Sequence, residues 1–247
     1  MRGLPLCWVA PLAKQSEETR ALAKKKHKRC EAQIIGFPNS RKRVEITPRN
    51  HTQRELLKSI TRNIITMAIG PAGTGKTYIA AMSALKYLTD EQVKKIVITR
   101  PVVTAGAERI GYLPGSLEEK MDPWLKPIFD VFEEYWSAKT IMDRIHDGTI
   151  EIVPLGFMRG RSFKDCFILA DEIQNATLDQ ILMLLTRIDD GSKMVITGDP
   201  DQTDMKNLDV IHETARRLQN VKNIGIIEFD PSEVVRSDIV AAILEAW

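Results

Sequence analysis

The sequence predicts an α/β protein built on a mainly parallel sheet with helices on both faces, and three observations carry that prediction. Short apolar runs rich in β-branched residues recur at 64–69, 96–99, 166–170, 194–197 and 224–228. Segments whose apolar positions follow helical spacing separate most of them. The first run opens directly onto Gly70-Pro71-Ala72-Gly73-Thr74-Gly75-Lys76-Thr77, which satisfies G-x-x-x-x-G-K-[ST] and leads into Ala-rich helical text. Strand, glycine loop and helix in that order are what a phosphate-binding loop requires.

Each element follows from its local pattern. A helix over 52–60 presents Leu56, Leu57 and Ile60 on one face and leads into the strand over 64–69. A helix over 76–88 and a strand over 96–99 come next. The long segment 100–148 contains a predicted helix over 123–138, where Trp124, Ile128, Phe129, Phe132 and Trp136 recur at helical spacing and read as core. The alternation then resumes: strands over 150–154 and 166–170, a helix over 178–188, a strand over 194–197, a helix over 210–218, a strand over 224–228 and a helix over 238–246. The sequence contains no internal repeat.

Charge divides the chain into two parts. Residues 1–62 hold 15 Lys/Arg against 5 Asp/Glu, and the remainder holds 20 against 28, so the overall net charge of +2 conceals a basic arm on an acidic body. Residues 1–45, with KKKHKR and RKR and little apolar period, read as a flexible N-terminal arm, and 46–247 as the core domain. Such asymmetry points to a polyanionic partner. The three cysteines, Cys7, Cys30 and Cys166, form no C-x-x-C pair, which suits reduced thiols in a cytoplasmic protein. The apolar stretch at 4–12 is broken by Pro5 and Pro11 and reads as neither a leader nor an anchor. No run approaches a membrane span, so no membrane partner is expected.

The chemistry gathers at strand ends. Glycines let backbone N–H groups close around phosphates, Lys76 reaches the β and γ oxygens, and the Thr77 hydroxyl holds Mg²⁺. The apolar run before Asp171 carries that acid to the carboxyl edge of the sheet as a second metal-side group. Glu172 beside it is suited to orient and polarise an attacking water. That favours water over a bound substrate hydroxyl as nucleophile. A third strand end, Gly198-Asp199-Pro200-Asp201-Gln202, places an acid and an amide at the same edge, with Asp199 to position a γ-phosphate and Gln202 to sense it.

Several blocks together resemble one family. GPAGTGKTYIA, TRPVVTAGAERIGYLPGSLEEKMDPWLKPIFD, EIVPLGFMRGRSFKD, LADEIQNATLDQILMLLTRI, GSKMVITGDPDQTD and VVRSDIV, in this order from about Pro48 to the C-terminus, are similar to the PhoH-like P-loop ATPases. That family resembles the RecA-like motor core of superfamily 1 helicases, with Asp171-Glu172-Ile173-Gln174 and Gly198 to Gln202 matching two of its motifs. The resemblance implies ATP and Mg²⁺ as cofactors and extends the nucleotide-binding set to Tyr78. It places Gln53 where adenine is read. It also implies an arginine that completes a neighbouring site, Arg236 or Arg187, and it turns Arg159 and Arg161 toward nucleic acid or a neighbouring subunit. Thr203-Asp204-Met205-Lys206 and Ser237-Asp238 depart from the family pattern. Some relatives carry a PIN ribonuclease domain; residues 1–45 are too short and too poor in acids to form one, so no nuclease activity is expected.

Such a motor core ordinarily needs two domains, and this chain has room for one. The resemblance therefore implies a homo-oligomer, a hexameric ring, with ATP at each interface. The expected function is ATP hydrolysis coupled to binding, translocation or remodelling of single-stranded nucleic acid, RNA favoured over DNA. The alternative is a nucleotide-dependent protein remodelling or assembly factor.

Overall fold

The computed structural model describes residues 44–101, 117–203 and 209–234, with the side chains of 117–124 outside that description. Six strands form one sheet: β1 (Ile65–Ile69), β2 (Lys95–Thr99), β3 (Ile150–Ile152), β4 (Cys166–Ala170), β5 (Lys193–Gly198) and β6 (Ile224–Glu228), in the order β3-β2-β4-β5-β1-β6. Every pairing is parallel. Parallel neighbours cannot be joined by a tight turn, so each connection crosses over the sheet and leaves a helix or loop on one face. All residues of β1 and β4 are buried, which explains their unbroken apolar text.

Alternation along the strands feeds two cores. On one face Ile96, Ile98, Phe167 and Leu169 meet Leu56 and Ile60 of α1 (His51–Arg62), Ile79 and Leu85 of α2 (Lys76–Thr89) and Ile128 and Phe132 of α3 (Leu117–Glu133). The short helix α4 (Ala138–His146) adds Ile141 to this face. On the other, Met67, Ile168, Met194 and Ile196 meet Ile181 and Leu184 of α5 (Leu178–Leu185) and Val210 and Ile211 of α6 (Val210–Leu218).

The helix expected over 123–138 is instead two. α3 starts earlier and ends at Glu133, and α4 follows after Ser137, whose side chain caps the Thr140 N–H at 3.2 Å. Trp136 carries the apolar period across this break: it lies edge-on to Phe132, with the Arg144 guanidinium 4.2 Å from its ring. The side chain of Trp124 lies outside the described residues. The strand expected over 150–154 stops at Ile152; Val153 still donates to Ile98 O at 2.9 Å, but Pro154 has no N–H to continue the ladder. The helix expected over 178–188 ends at Leu185. The helix expected over 238–246 and nearly all of the basic arm lie outside the described residues.

Candidate active site

The register sets the site. Ile69 pairs with Gly198, and Thr99 with Ala170, so the segments that follow β1, β2, β4 and β5 leave the sheet side by side at its carboxyl edge. β5 lies between the loop strand β1 and the acid strand β4. A cavity of about 290 Å³ opens there, lined among others by Lys76, Thr77, Asp171, Glu172, Asp199 and Gln202.

The glycine loop is shaped by positive φ at Gly70, Gly73 and Gly75 (+143°, +83° and +85°). At Gly70 a side chain is also sterically barred, because a Cβ would lie 2.7 Å from the Phe229 carbonyl oxygen, just past β6. One loop amide already holds an anionic oxygen of the chain itself: the Ala72 N–H donates to Asp199 Oδ2 at 2.7 Å. The Lys76 ammonium turns back on the loop and donates to Gly70 O at 2.6 Å and Pro71 O at 2.7 Å. Burial pushes its pKa below the ordinary lysine value, against the opposing pull of Asp199, Glu172 and Asp171.

Opposite the loop, Thr77 Oγ1 donates to Asp171 Oδ1 at 2.9 Å, and the Thr197 hydroxyl reaches the same oxygen. Asp171 is buried and stays in the ladder through its N–H to Thr99 O at 3.0 Å. Glu172 then leaves the strand with φ +56°, a conformation that non-glycine residues adopt sparingly. Its Oε2 accepts from Gln174 Nε2 at 2.5 Å. The Gln174 Oε1 accepts the Asp199 N–H at 3.1 Å, and Asp199 Oδ1 accepts the Asp201 N–H at 3.0 Å. Gln202 stands exposed on the short turn Pro200–Gln202 at the cavity wall.

The other expected residues distribute unevenly. Gln53 is buried and does not face the cavity as a free amide: its Oε1 accepts the Arg49 N–H and its Nε2 donates to Thr74 O, both at 2.8 Å. Tyr78 follows Thr77 on the first turn of α2, lines the cavity and is 37 % exposed. Arg187 lies beyond the C-terminus of α5, on the approach to β5 and so at the amino edge. It donates to Met183 O and Arg161 O at 3.2 and 3.1 Å. Arg161 pairs with Glu151 at 2.6 Å, whereas Arg159 is exposed. Arg236, Asp204 to Lys206, Ser237 and Asp238 lie outside the described residues.

Sequence reasoning missed Arg100. It directly follows β2, neighbour of the acid strand, and its guanidinium lies 4.0 Å from Asp171 Oδ2 and 3.7 Å from Glu172 Oε1. The available signal was a basic residue ending the buried run 96–99, at the edge where the acids end theirs.

This donor set fits a nucleotide with a magnesium ion. A hydroxyl and a carboxylate at 2.9 Å from each other offer the one or two protein oxygens that Mg²⁺ uses when phosphates and water complete its shell. Among the described residues no group of three or more His, Cys, Asp or Glu could hold a metal by itself. No helix among them is long and apolar enough to cross a membrane.

A family model described as "PhoH-like protein" matches residues 45–247. The PhoH-like protein of Bacillus subtilis (strain 168) is 44% identical over 200 residues, covering 79% of this chain and 61% of that protein. Protein PhoH of Escherichia coli (strain K12) is 34% identical over 213 residues, covering 85% and 60% respectively. This chain thus spans about three fifths of the length of these relatives. Among solved structures, the helicase domain of Pyrococcus furiosus Hef aligns with a TM-score of 0.44 at 13% identity, over 74% of this chain and 38% of that one. The fold assignment rests on the strand order and the glycine loop instead.

Proposed function

Because this chain belongs to the PhoH-like family and has the fold of a P-loop ATPase, we propose that it hydrolyses ATP with Mg²⁺ and couples hydrolysis to single-stranded nucleic acid, RNA in preference to DNA. The observation that supports this best is the pairing of Thr77 with Asp171 beneath Glu172, across one cavity from Lys76. Thr77 and Asp171 would hold magnesium, which would supply charge neutralisation at the phosphate oxygens. Lys76 exchanges the loop carbonyls for the β and γ oxygens, and the Ala72 N–H exchanges Asp199 for a phosphate. Glu172 orients the attacking water and takes its proton at the carboxylate as the water oxygen bonds the γ-phosphorus and the bond to the β-phosphate oxygen breaks, ADP leaving with the electron pair; Gln174 keeps that carboxylate in place. Gln202 contacts the γ-phosphate from the cavity wall.

The copies assemble head to tail into a six-membered ring that sets each cavity at an interface. Arg187 lies at the amino edge and donates to Met183 O, Arg161 O and Thr186 Oγ1 within its own chain, so Arg236 of a neighbouring copy supplies the finger, worth about 10³ to 10⁵ in rate. The basic arm and Arg159 meet the phosphates of the strand. ATP turnover with and without single-stranded RNA and DNA, at low and high salt, tests this reading. Stimulation by RNA that fades steeply with salt is the expected result. Basal turnover indifferent to both nucleic acids, with or without residues 1–45, supports the protein-remodelling alternative. A dilute monomer that turns over as fast as the assembled form removes the ring.

A further inference from the structure

We propose that the base of the bound nucleotide is held by stacking on Tyr78 and is not read through the Gln53 amide, so that the site accepts nucleoside triphosphates of any base. This rests on the nucleotide-binding reading above and deepens it, since it assigns the substrate class. Gln53 is the residue that the family resemblance places at the adenine, and its amide is buried and held at both ends.

The amide is 4% exposed and engaged at both ends. An N–H, that of Arg49, faces its oxygen, and a carbonyl, that of Thr74, faces its nitrogen, each at 2.8 Å; the two neighbours also fix which way the amide is turned. The packing around it is close. A Cβ at Gly75 would lie 2.6 Å from Gln53 Nε2, so the amide occupies the space that the missing side chain leaves. Meanwhile the Gln53 N–H caps α1 through Asn50 at 2.8 Å. To read a base edge, Gln53 would leave the buried Thr74 carbonyl unpaired in the loop that must hold the phosphates and would give up the Arg49 N–H. Gln53 is thus a positioning residue: it brackets α1 to the glycine loop.

Tyr78 has the opposite character. The residue is 37 % exposed, follows Thr77 directly and lines the same cavity. The hydroxyl is engaged by Glu134 at 3.4 Å, so the ring is the part of the side chain left to meet a base. Every base has a π-face, so stacking supplies affinity with little selectivity.

Competition against a fluorescent methylanthraniloyl-ADP on the full chain with Mg²⁺ tests the assignment, using ATP, GTP, CTP, UTP and inorganic tripolyphosphate as competitors. The four nucleotides are expected to bind within about fivefold of one another, and Tyr78→Ala to weaken all four about tenfold while tripolyphosphate is unchanged. Tyr78→Phe should retain wild-type affinities. Gln53→Ala should weaken nucleotides and tripolyphosphate by the same factor. Preference for ATP over GTP beyond about thirtyfold, loss confined to adenine nucleotides in Gln53→Ala, or equal weakening of tripolyphosphate in Tyr78→Ala overturns the inference. Because Tyr78 is partly exposed, its variants remain informative even where Gln53→Ala fails to fold. If no triphosphate competes and the fluorescent nucleotide itself does not bind, it is the nucleotide-binding reading that fails.

Discussion

Lys76 and Lys193 lie at opposite edges of the sheet, and both turn their ammonium groups onto backbone carbonyls. Lys76 donates to Gly70 O and Pro71 O at 2.6 and 2.7 Å; Lys193 donates to Ile60 O, Thr61 O and Asn63 O at 2.9, 2.9 and 2.6 Å. Burial lowers the pKa of each. The difference is in their company. Lys193 satisfies two carbonyls in the last turn of α1 and that of the residue after it, Asn63, at the negative end of the helix. Lys76 instead has Asp199, Glu172 and Asp171 near it, acids that oppose the effect of burial. The same contact serves stability at the amino edge and is exchangeable at the carboxyl edge, because only there do other charges stand ready to share the lysine.

Exchanging the lysines' fates is the strongest way to break that comparison. Lys76→Ala is expected to cut ATP turnover per folded molecule by about 10² to 10³, the range for loss of one preorganised charge donor, with a smaller loss of stability than turnover because two loop carbonyls lose their donor. Lys193→Met should do the reverse: a loss of about 1 to 3 kcal/mol in unfolding free energy from three carbonyls left without their donor, and unaltered turnover per folded molecule. If Lys193→Met impairs turnover more than stability, the division between the edges is wrong.

Smaller effects sharpen it. Arg100→Ala should lower kcat about tenfold with an unchanged KM for ATP, since the guanidinium touches the acid pair and not the loop, and Arg100→Lys should restore part of the loss. Titration of nucleotide binding provides a further check. The Lys76 ammonium is lost as pH rises through its lowered pKa, so triphosphate affinity should begin to fall below the ordinary lysine value of about 10.4. Lys76→Arg should move that fall to higher pH. Stability runs the other way in the same window, rising with pH, because the unfolded chain holds this proton more tightly. Least of all, Lys94→Ala at the amino edge should leave the melting temperature where it is, since its partner Asp165 at 2.6 Å shares an exposed pair that water screens.

Local chemistry was legible in the sequence and distant chemistry was not. The glycine loop, Asp171, Glu172 and Asp199 all emerged from a strand followed by a polar turn, a pattern complete within about ten residues, and the strands themselves from apolar runs buried on both faces. The order of the strands was not legible, because parallel pairing joins segments far apart in sequence; nothing in the text of β5 says that it inserts between β1 and β4. Arg100 was missed for the same reason, its partners lying on another strand. The break before α4 was hidden because Trp136 continues the apolar period of α3 while Ser137 caps a new helix. Gln53 sits on the expected helix, but its engagement with Arg49 and Thr74 depended on a loop conformation that spacing does not encode.

The hydrogen-bonded series from the Ala72 N–H to Asp199, from the Asp199 N–H to Gln174, and from Gln174 to Glu172 has a consequence for inheritance. It runs from the glycine loop to the residue that faces water and crosses three strand ends, each link using a different atom of the next residue. Substitutions at Asp199, Gln174 and Glu172 are therefore not independent trials. A change at one alters what the others can tolerate, although Glu172 lies about a hundred residues beyond the loop in the chain.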